Sequence, residues 1–292
     1  MNNELSNICK CLEEVNMKEY NTYRLVNYAK IMVFPNNANE LERVIDIIKK
    51  NSSKYFVIGN GSNIILPEYY DGVIINLAHC NKYEIKNNVL YSEAGVMLNK
   101  LASEVSNMGY AGLDFATGIP GTIGGSIYGN AGCYGSSISE VLIDATLFDG
   151  EKIITLDNKD FKFDYRYSML KDNKNYVILS ARFKLTKADV NELKELILER
   201  TNKRISSQDL SHPSNGSVFR NPEGFAAGKL IDDLGLKGYS VGDAMVSNKH
   251  ANFIINNGNA KTKDIIKLIN KIKKDVKKNY NIELKLEQEI IE

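Results

Sequence analysis

The run Gly118-Ile119-Pro120-Gly121-Thr122-Ile123-Gly124-Gly125, followed by Asn130-Ala131-Gly132-Cys133-Tyr134-Gly135, constrains this chain more than any other stretch. Glycine inside a regular helix or strand costs about 0.5–1 kcal/mol per position relative to alanine, so a run this dense predicts neither element. It predicts a stretch whose backbone is the working part. Without a Cβ, successive N–H groups can turn inward and close on an anion such as phosphate. The competing reading is a tight buried turn packed against a sheet.

Composition narrows the field. The 292 residues are 43% apolar and 25% charged, which suits one large domain or two to three small ones. Lys+Arg number 37 against Asp+Glu 36, a net charge of +1, so the chain lacks the basic field of a nucleic-acid binder. Cys9, Cys11, Cys80 and Cys133 form no CxxC pair and there are only 3 histidines. That argues against a metal site and a disulfide framework, and fits a reducing cytoplasm. The start, Met1-Asn2-Asn3-Glu4-Leu5, has neither a basic nor an apolar leader, and no apolar run approaches about 18 residues, so neither export nor a membrane span is expected.

Taken in order, residues 1–20 read as a polar amphipathic lead-in, and Ile31–Phe34 as a strand stopped by Pro35. Leu41, Val44, Ile45 and Ile48 then recur at helical spacing, with Asn36 or Asn37 placed to cap. Lys54–Ile58 and Ile64–Leu66 read as strands around a second glycine loop, Gly59-Asn60-Gly61-Ser62-Asn63. That loop lacks the third glycine of a dinucleotide fingerprint and any G-K-[ST]. Strands at Val73–Leu77 and Val89–Ala94 precede a helix presenting Leu98, Leu101, Ala102 and Val105. Asp149-Gly150 between Val141–Phe148 and Lys152–Leu156 is a hairpin signal, and Tyr176–Leu185 is a further strand. Residues 79–188 thus read as α+β on a mostly antiparallel sheet.

A charged helix at 189–204, with Val190, Leu193, Leu196 and Ile197 inward, leads to a polar loop at 206–217 that suits a domain boundary. The last third reads as a helix at about 225–234, a strand at Ala251–Ile255 and a helix presenting Ile265, Leu268, Ile269, Ile272 and Val276, its lysines solvated. At the end, Glu283, Lys285, Glu287 and Glu289 alternate with Ile282, Leu284, Leu286 and Ile290, the pattern of a strand with one acidic face. Two further clusters look too specific for packing alone: Asp164-Tyr165-Arg166-Tyr167-Ser168, and Gly216-Ser217-Val218-Phe219-Arg220-Asn221-Pro222.

These clusters, with Asn21-Thr22-Tyr23-Arg24, both glycine loops, Ala227–Asp232, Leu236-Lys237-Gly238 and Val246–Phe253, form an ordered set across about residues 21–290. The set is similar to the UDP-N-acetylenolpyruvoylglucosamine reductase (UDP-N-acetylmuramate dehydrogenase) family, flavoenzymes of bacterial cell-wall precursor synthesis. The short span between Ala181 and Ser217 and the lack of an insert in the last third resemble its compact subtype, without a tyrosine-bearing lid.

The resemblance implies an α+β fold of the vanillyl-alcohol-oxidase/PCMH type. Residues 1–78 and 79–195 would be two FAD-binding subdomains, and 196–292 an α+β substrate-binding domain whose last residues return toward the flavin. It implies non-covalent FAD, NADPH as hydride donor and UDP-N-acetylglucosamine enolpyruvate as substrate, in a cytoplasmic enzyme with no nucleic-acid, membrane or metal partner; a monomer is the default expectation. FAD would meet Gly59, Asn60, Gly61, Ser62 and Asn63, then Gly118, Ile119, Pro120, Gly121, Thr122, Gly124 and Gly125, then Asn130, Ala131 and Gly132.

Arg166 matches the family arginine that stabilises developing charge, and Ser217 the proton donor. Glu287 matches the acid near the C-terminus, with Glu289 as the alternative. Tyr165 and Asn221 match substrate contacts. The lysine common in the family before the serine loop falls at Ser207, so Lys203, Arg204 or Arg220 would supply phosphate charge. Val26-Asn27-Tyr28 and Ser126-Ile127-Tyr128 also depart from the pattern. Two other readings are an FAD-dependent oxidoreductase of this fold with another substrate, motivated by Ser207, and a non-catalytic flavin-binding relative, motivated by Val26–Tyr28.

Overall fold

The computed structural model describes all residues 1–292. By contact the chain divides into two compact units, each assembled from separate segments: Met1–Glu13, Ile31–Asn60 and Asp71–Asn202 form one, and Glu14–Lys30, Gly61–Tyr70 and Lys203–Glu292 the other. The division passes through the loop Gly59–Asn63 and through the helix Val190–Ser207, upstream of the polar loop that reads as a boundary in the sequence.

In the first unit the helix Ala38–Lys50 forms where apolar residues recur every three to four positions. Asn37 caps it by accepting the Glu40 N–H at 3.0 Å. Its inward face, Leu41, Val44, Ile45 and Ile48, is fully buried and shares a core with Ile31, Val33, Val73 and Ile75. These come from a four-stranded sheet ordered Lys10–Asn16, Tyr28–Phe34, Tyr69–Asn76, Tyr55–Ile58, the last two strands parallel. The N-terminal segment is therefore more ordered than a polar lead-in, because Lys10–Asn16 pairs into this sheet.

A five-stranded antiparallel sheet follows, ordered Ile153–Asp157, Leu142–Phe148, Val177–Lys184, Val89–Glu93, Tyr83–Lys86. At its predicted hairpin the Asp149 carboxylate accepts the N–H groups of Glu151 and Lys152 at 2.8 and 2.9 Å, and Gly150 takes φ +104°. The helix Leu98–Asn107 buries Leu98, Leu101, Ala102 and Val105 in the same core, as its spacing predicts. The helix Val190–Ser207 departs from its pattern: Leu193 is buried, but Val190, Leu196 and Ile197 are half-buried and Leu198 is exposed.

The second unit has a four-stranded antiparallel sheet ordered Ser214–Ser217, Phe253–Asn256, Ala244–Val246, Ser240–Val241. The helix Thr262–Tyr280 buries Ile265, Leu268, Ile269, Ile272 and Val276 in a core shared with Val218, Phe219 and Ile231. The strand read at 282–290 is broken. Leu286 makes a single bridge to Phe219, Glu287 and Gln288 lie in bends, and only Glu289–Ile290 pairs, in parallel, with Ile64–Ile65. Burial keeps the alternation as far as Gln288, which takes an inward place at 2% exposed on the buried Tyr23 hydroxyl, and loses it at Ile290, which is exposed.

Candidate active site

In the first unit the two glycine loops touch. Asn60 Nδ2 donates to the Pro120 carbonyl at 2.8 Å, and a Cβ on Gly59 would lie 2.4 Å from Thr122 Oγ1. The Gly118–Gly125 run differs from the expected fan of free donors, since most of its N–H groups are spent inside the chain. Gly121 donates to Ile119 O, Ile123 to Val96 O, Gly124 to Ala94 O and Gly125 to Thr122 Oγ1. The short helix Ile123–Tyr128 runs through Gly124 and Gly125, capped by Thr122. Gly124 allows close approach: a Cβ there would stand 3.1 Å from the Ala94 Cβ, and the neighbour would have to give by a few tenths of an ångström. The free donors lie in the other loop: the N–H groups of Asn60, Gly61, Ser62 and Asn63 meet no acceptor in the chain.

Beyond this helix the chain turns at Asn130, at φ +43°, and continues through Ala131 to Gly132. The Asn130 side chain is committed twice: Nδ2 donates to Asp164 O at 3.0 Å, and Oδ1 accepts the Ser139 N–H at 3.1 Å. Asp164 and Tyr167 close a tight turn, and Arg166 sits in it at φ +56°. Arg166 Nη2 donates to the Gly132 carbonyl at 2.9 Å, and its guanidinium lies 5.2 Å from the Tyr165 ring centroid. Ser168, fully buried, ties the turn to the Tyr128 carbonyl at 2.7 Å.

Arg200 reinforces this neighbourhood. It bonds Asp114 at 2.7 Å and stacks on Tyr134, whose hydroxyl returns to the Arg200 carbonyl at 3.0 Å. Burial acts to raise the Asp114 pKa, but the Gly112 N–H and the guanidinium outweigh it and hold the carboxyl below its ordinary value.

In the second unit Ser217 ends the strand Ser214–Ser217. The pairing slips between Ser214 opposite Ile255 and Ser217 opposite Phe253, and Gly216 takes φ +71° in that bulge with open space where a Cβ would go. Glycine is there for its conformation, and the bulge re-aims the serine that follows. The Ser217 hydroxyl makes no hydrogen bond inside the chain.

The backbone on either side is clamped. Val218 N–H donates to Asn252 O at 2.9 Å, and the Asn252 side chain makes a two-way pair with the Phe219 backbone at 3.0 and 2.8 Å. His250 steadies Asn252 by accepting its N–H on Nδ1 at 3.3 Å. Burial, with Lys237 nearby, pushes the imidazole below its ordinary pKa and favours the neutral ring that this bond needs.

Glu287 joins the same frame: its N–H donates to Val218 O at 2.9 Å and its carbonyl accepts from Asn63 Nδ2 at 3.0 Å. Glu289 N–H donates to Asn63 O at 2.9 Å. Between the acids, Gln288 accepts the hydroxyl of fully buried Tyr23 at 3.0 Å and reaches the carbonyls of Asn215, Gly216 and Ser217 at 3.4 Å. Asn215 completes the network, accepting from Thr22 Oγ1 at 2.6 Å and donating to Ile64 O at 2.7 Å.

The motif Asn21–Arg24 is therefore a joint. Asn21 staples its own turn to Met17 O and Leu25 N–H, Thr22 N–H meets Gly61 O, and Thr22 and Tyr23 hold Asn215 and Gln288. Asn27, among the departures from the family pattern, is a staple too: 1% exposed, it donates to Pro67 O at 2.7 Å and Thr262 Oγ1 at 2.9 Å. Asn221 Oδ1 accepts the Ala227 N–H at the start of the helix Ala227–Asp233 at 3.0 Å. Arg204 lies half-buried in the last turn of Val190–Ser207.

The structure thus groups Asn60, Gly118–Gly125, Asn130–Gly132, Tyr165 and Arg166 in one unit, and Gly61–Asn63, Ser217, Asn221 and Glu287 in the other. The sequence reading gave no role to Asn215 or Gln288, and quoted Asn252 only as part of the motif Val246–Phe253. All three are polar side chains buried by long-range contacts.

Residues 29–153 match the family model described as an FAD binding domain, and residues 208–291 the one described as UDP-N-acetylenolpyruvoylglucosamine reductase, C-terminal domain. A curated protein of Clostridium novyi (strain NT), named UDP-N-acetylenolpyruvoylglucosamine reductase, is 41% identical over 94% of this chain and 90% of its own length. The chain belongs to the UDP-N-acetylenolpyruvoylglucosamine reductase family. A relative of the same name from Petrotoga mobilis is 36% identical over 97% of this chain and 95% of its own length. The crystal structure of the Thermus caldophilus reductase superposes with TM-score 0.83 at 29% identity, covering 97% of this chain and 99% of that one. A glucose dehydrogenase, Phl p 4.0202, shares the fold over 64% of this chain and 44% of its own, at TM-score 0.51 and 13% identity.

This family uses FAD, and the residues present fit it. The loop Asn60–Asn63 offers backbone donors without internal acceptors, as a pyrophosphate needs. At Gly61, φ +63° and a Cβ position 2.1 Å from Tyr20 O leave room for backbone alone. No helix is long and apolar enough to cross a membrane.

Proposed function

We propose that this protein reduces UDP-N-acetylglucosamine enolpyruvate to UDP-N-acetylmuramate with NADPH, through bound FAD. What supports the reading most is Ser217: a hydroxyl presented by a glycine bulge, clamped on both flanks and uncommitted inside the chain, in a chain of this family. Bound FAD would supply hydride transfer between NADPH and the enol carbon distant from the substrate carboxylate.

The chain's residues have two tasks in that reaction. As a C–H bond forms at the distant carbon, negative charge develops on the carbon beside the carboxylate, and fixed positive charge lowers that barrier. Arg166 is the group we assign, held between the Gly132 carbonyl and the Tyr165 ring. The carbon then needs a proton, and Ser217 Oγ–H supplies it. A serine hydroxyl releases a proton only beside groups that stabilise or refill its oxygen, and the C-terminal acids Glu287 and Glu289 are bonded into the frame of that strand. Asn221, with its Oδ1 engaged at Ala227 N–H, keeps Nδ2 for the diphosphate, and Arg204 and Tyr165 line the substrate on this assignment. We take the enzyme to act in the cytoplasm, with a monomer as the default.

Turnover tests the reading: NADPH consumed one for one with substrate, and a product heavier by two hydrogens, support it. NADPH oxidation that ignores the UDP-sugar points to an FAD oxidoreductase with another acceptor. The third residue is tested separately. Glu287 is the first assignment, and Glu289, whose backbone pairs in parallel with Ile64, is the alternative. One of Glu287→Gln and Glu289→Gln should slow reoxidation of reduced enzyme on the order of 10²-fold or more, the other far less. Wild-type rates in both would remove a carboxylate from the mechanism.

A further inference from the structure

We infer that Asn130 is a positioning residue for Arg166, and that its side chain serves the reduction step rather than flavin binding. The inference rests on the assignment of Arg166 above. Both polar ends of the Asn130 amide are occupied by protein: Nδ2 by the Asp164 carbonyl at 3.0 Å, Oδ1 by the Ser139 N–H at 3.1 Å. The residue is 6% exposed. Each end of the side chain is thus already committed to protein, and little of it is exposed.

The amide fixes two things at once. Asp164 opens the turn that carries Arg166, and its carbonyl and N–H are the pair that closes that turn on Tyr167. Two residues beyond Asn130, the Gly132 carbonyl receives the Arg166 guanidinium at 2.9 Å. Asn130 therefore holds the base of the turn and the strand that receives its tip at a set separation. Without the Nδ2 donor, the base of the turn loses its bond to the segment that receives the arginine, and the Ser168 tie to the Tyr128 carbonyl holds only the far side of the turn.

The backbone at 130 chooses the substitutions. At φ +43° most side chains are strained, while asparagine, aspartate and glycine tolerate the left-handed region. Asn130→Asp keeps an acceptor for Ser139 N–H and loses the donor to Asp164 O. Asn130→Gly removes both bonds without strain at this φ, at the ordinary entropic cost of a glycine.

The experiment measures reoxidation of NADPH-reduced holoenzyme by UDP-N-acetylglucosamine enolpyruvate, in stopped flow. The variants are Asn130→Asp, Asn130→Gly, Arg166→Lys and the two double variants. Asn130→Asp and Asn130→Gly should each slow reoxidation on the order of 10- to 100-fold, as sub-ångström misplacement of a catalytic group does. In the Arg166→Lys background neither should slow it further, because residues acting through one contact are non-additive. Effects that multiply in the double variants would overturn the inference, as would wild-type reoxidation in the single ones. A slow Arg166→Lys enzyme beside an unaffected Asn130 pair sinks the positioning role alone. A fast Arg166→Lys enzyme removes the assignment of Arg166 and this inference with it. If Asn130→Asp fails to fold, Asn130→Gly carries the same comparison.

Discussion

Ser217→Ala is expected to bleach with NADPH at close to the wild-type rate and then to stay bleached, its reoxidation by the enolpyruvyl substrate slowed on the order of 10³-fold or more. The asymmetry follows from what each half of the reaction requires. Hydride delivery to the cofactor moves no proton through Ser217, whereas completing the lactyl ether needs a proton on carbon from a fixed donor. The substitution removes one oxygen that makes no hydrogen bond in the chain, and the clamps around it are backbone bonds of Val218 and Phe219 with Asn252, so the fold should be retained. Rapid-mixing absorbance at the flavin band, first with NADPH and then with substrate, separates the two rates. Equal loss in both halves would mean that Ser217 shapes the pocket rather than donating the proton.

Gly61→Ala is the second large effect, and it acts on the cofactor. A Cβ there would lie 2.1 Å from the Tyr20 carbonyl oxygen and 2.8 Å from the Asn21 Cα, both backbone, at φ +63°. The left-handed conformation costs an alanine about 1–2 kcal/mol, and the clash adds about 1–3 kcal/mol or more. Neither neighbour can swing aside, because Asn21 is stapled to Met17 and Leu25. The loop Asn60–Asn63 should shift, its N–H groups should lose their common aim, and the purified variant should carry little FAD and melt at lower temperature. Gly216→Ala is the useful contrast: it has the same sign of φ but open space at its Cβ, so it should cost only the conformational part. Retention of FAD by Gly61→Ala at wild-type stoichiometry would contradict the role given to that loop.

What could be read in advance divides along a physical line. The helix Ala38–Lys50 and the hairpin at Asp149-Gly150 are legible because local periodicity, a capping asparagine and a turn residue all say the same thing. The family and its fold are legible through ordered motifs.

The segment 282–290 misleads because its alternation is correct as a pattern. What the segment lacks is a pairing partner along its length: Gln288 keeps its inward place on the Tyr23 hydroxyl, but only Glu289–Ile290 finds a strand beside it. The glycine run misleads in a second way. Glycine density signals either free donors or close approach, and at Gly121–Gly125 the structure uses it for packing on Ala94 and on the neighbouring Gly59 loop. The burial of Asn215 and the clamping role of Asn252 were not legible, because an asparagine buried by tertiary structure has the local signature of a surface residue. With Gln288, these side chains set the frame around Ser217, so its position in sequence was readable and its presentation was not.

The most direct test of the central claim is an anaerobic visible spectrum of the purified protein, titrated with NADPH and then with UDP-N-acetylglucosamine enolpyruvate. The account predicts a yellow protein that loses its flavin absorbance with the first and regains it, mole for mole, with the second. A protein that bleaches and stays bleached in the presence of the UDP-sugar would contradict it.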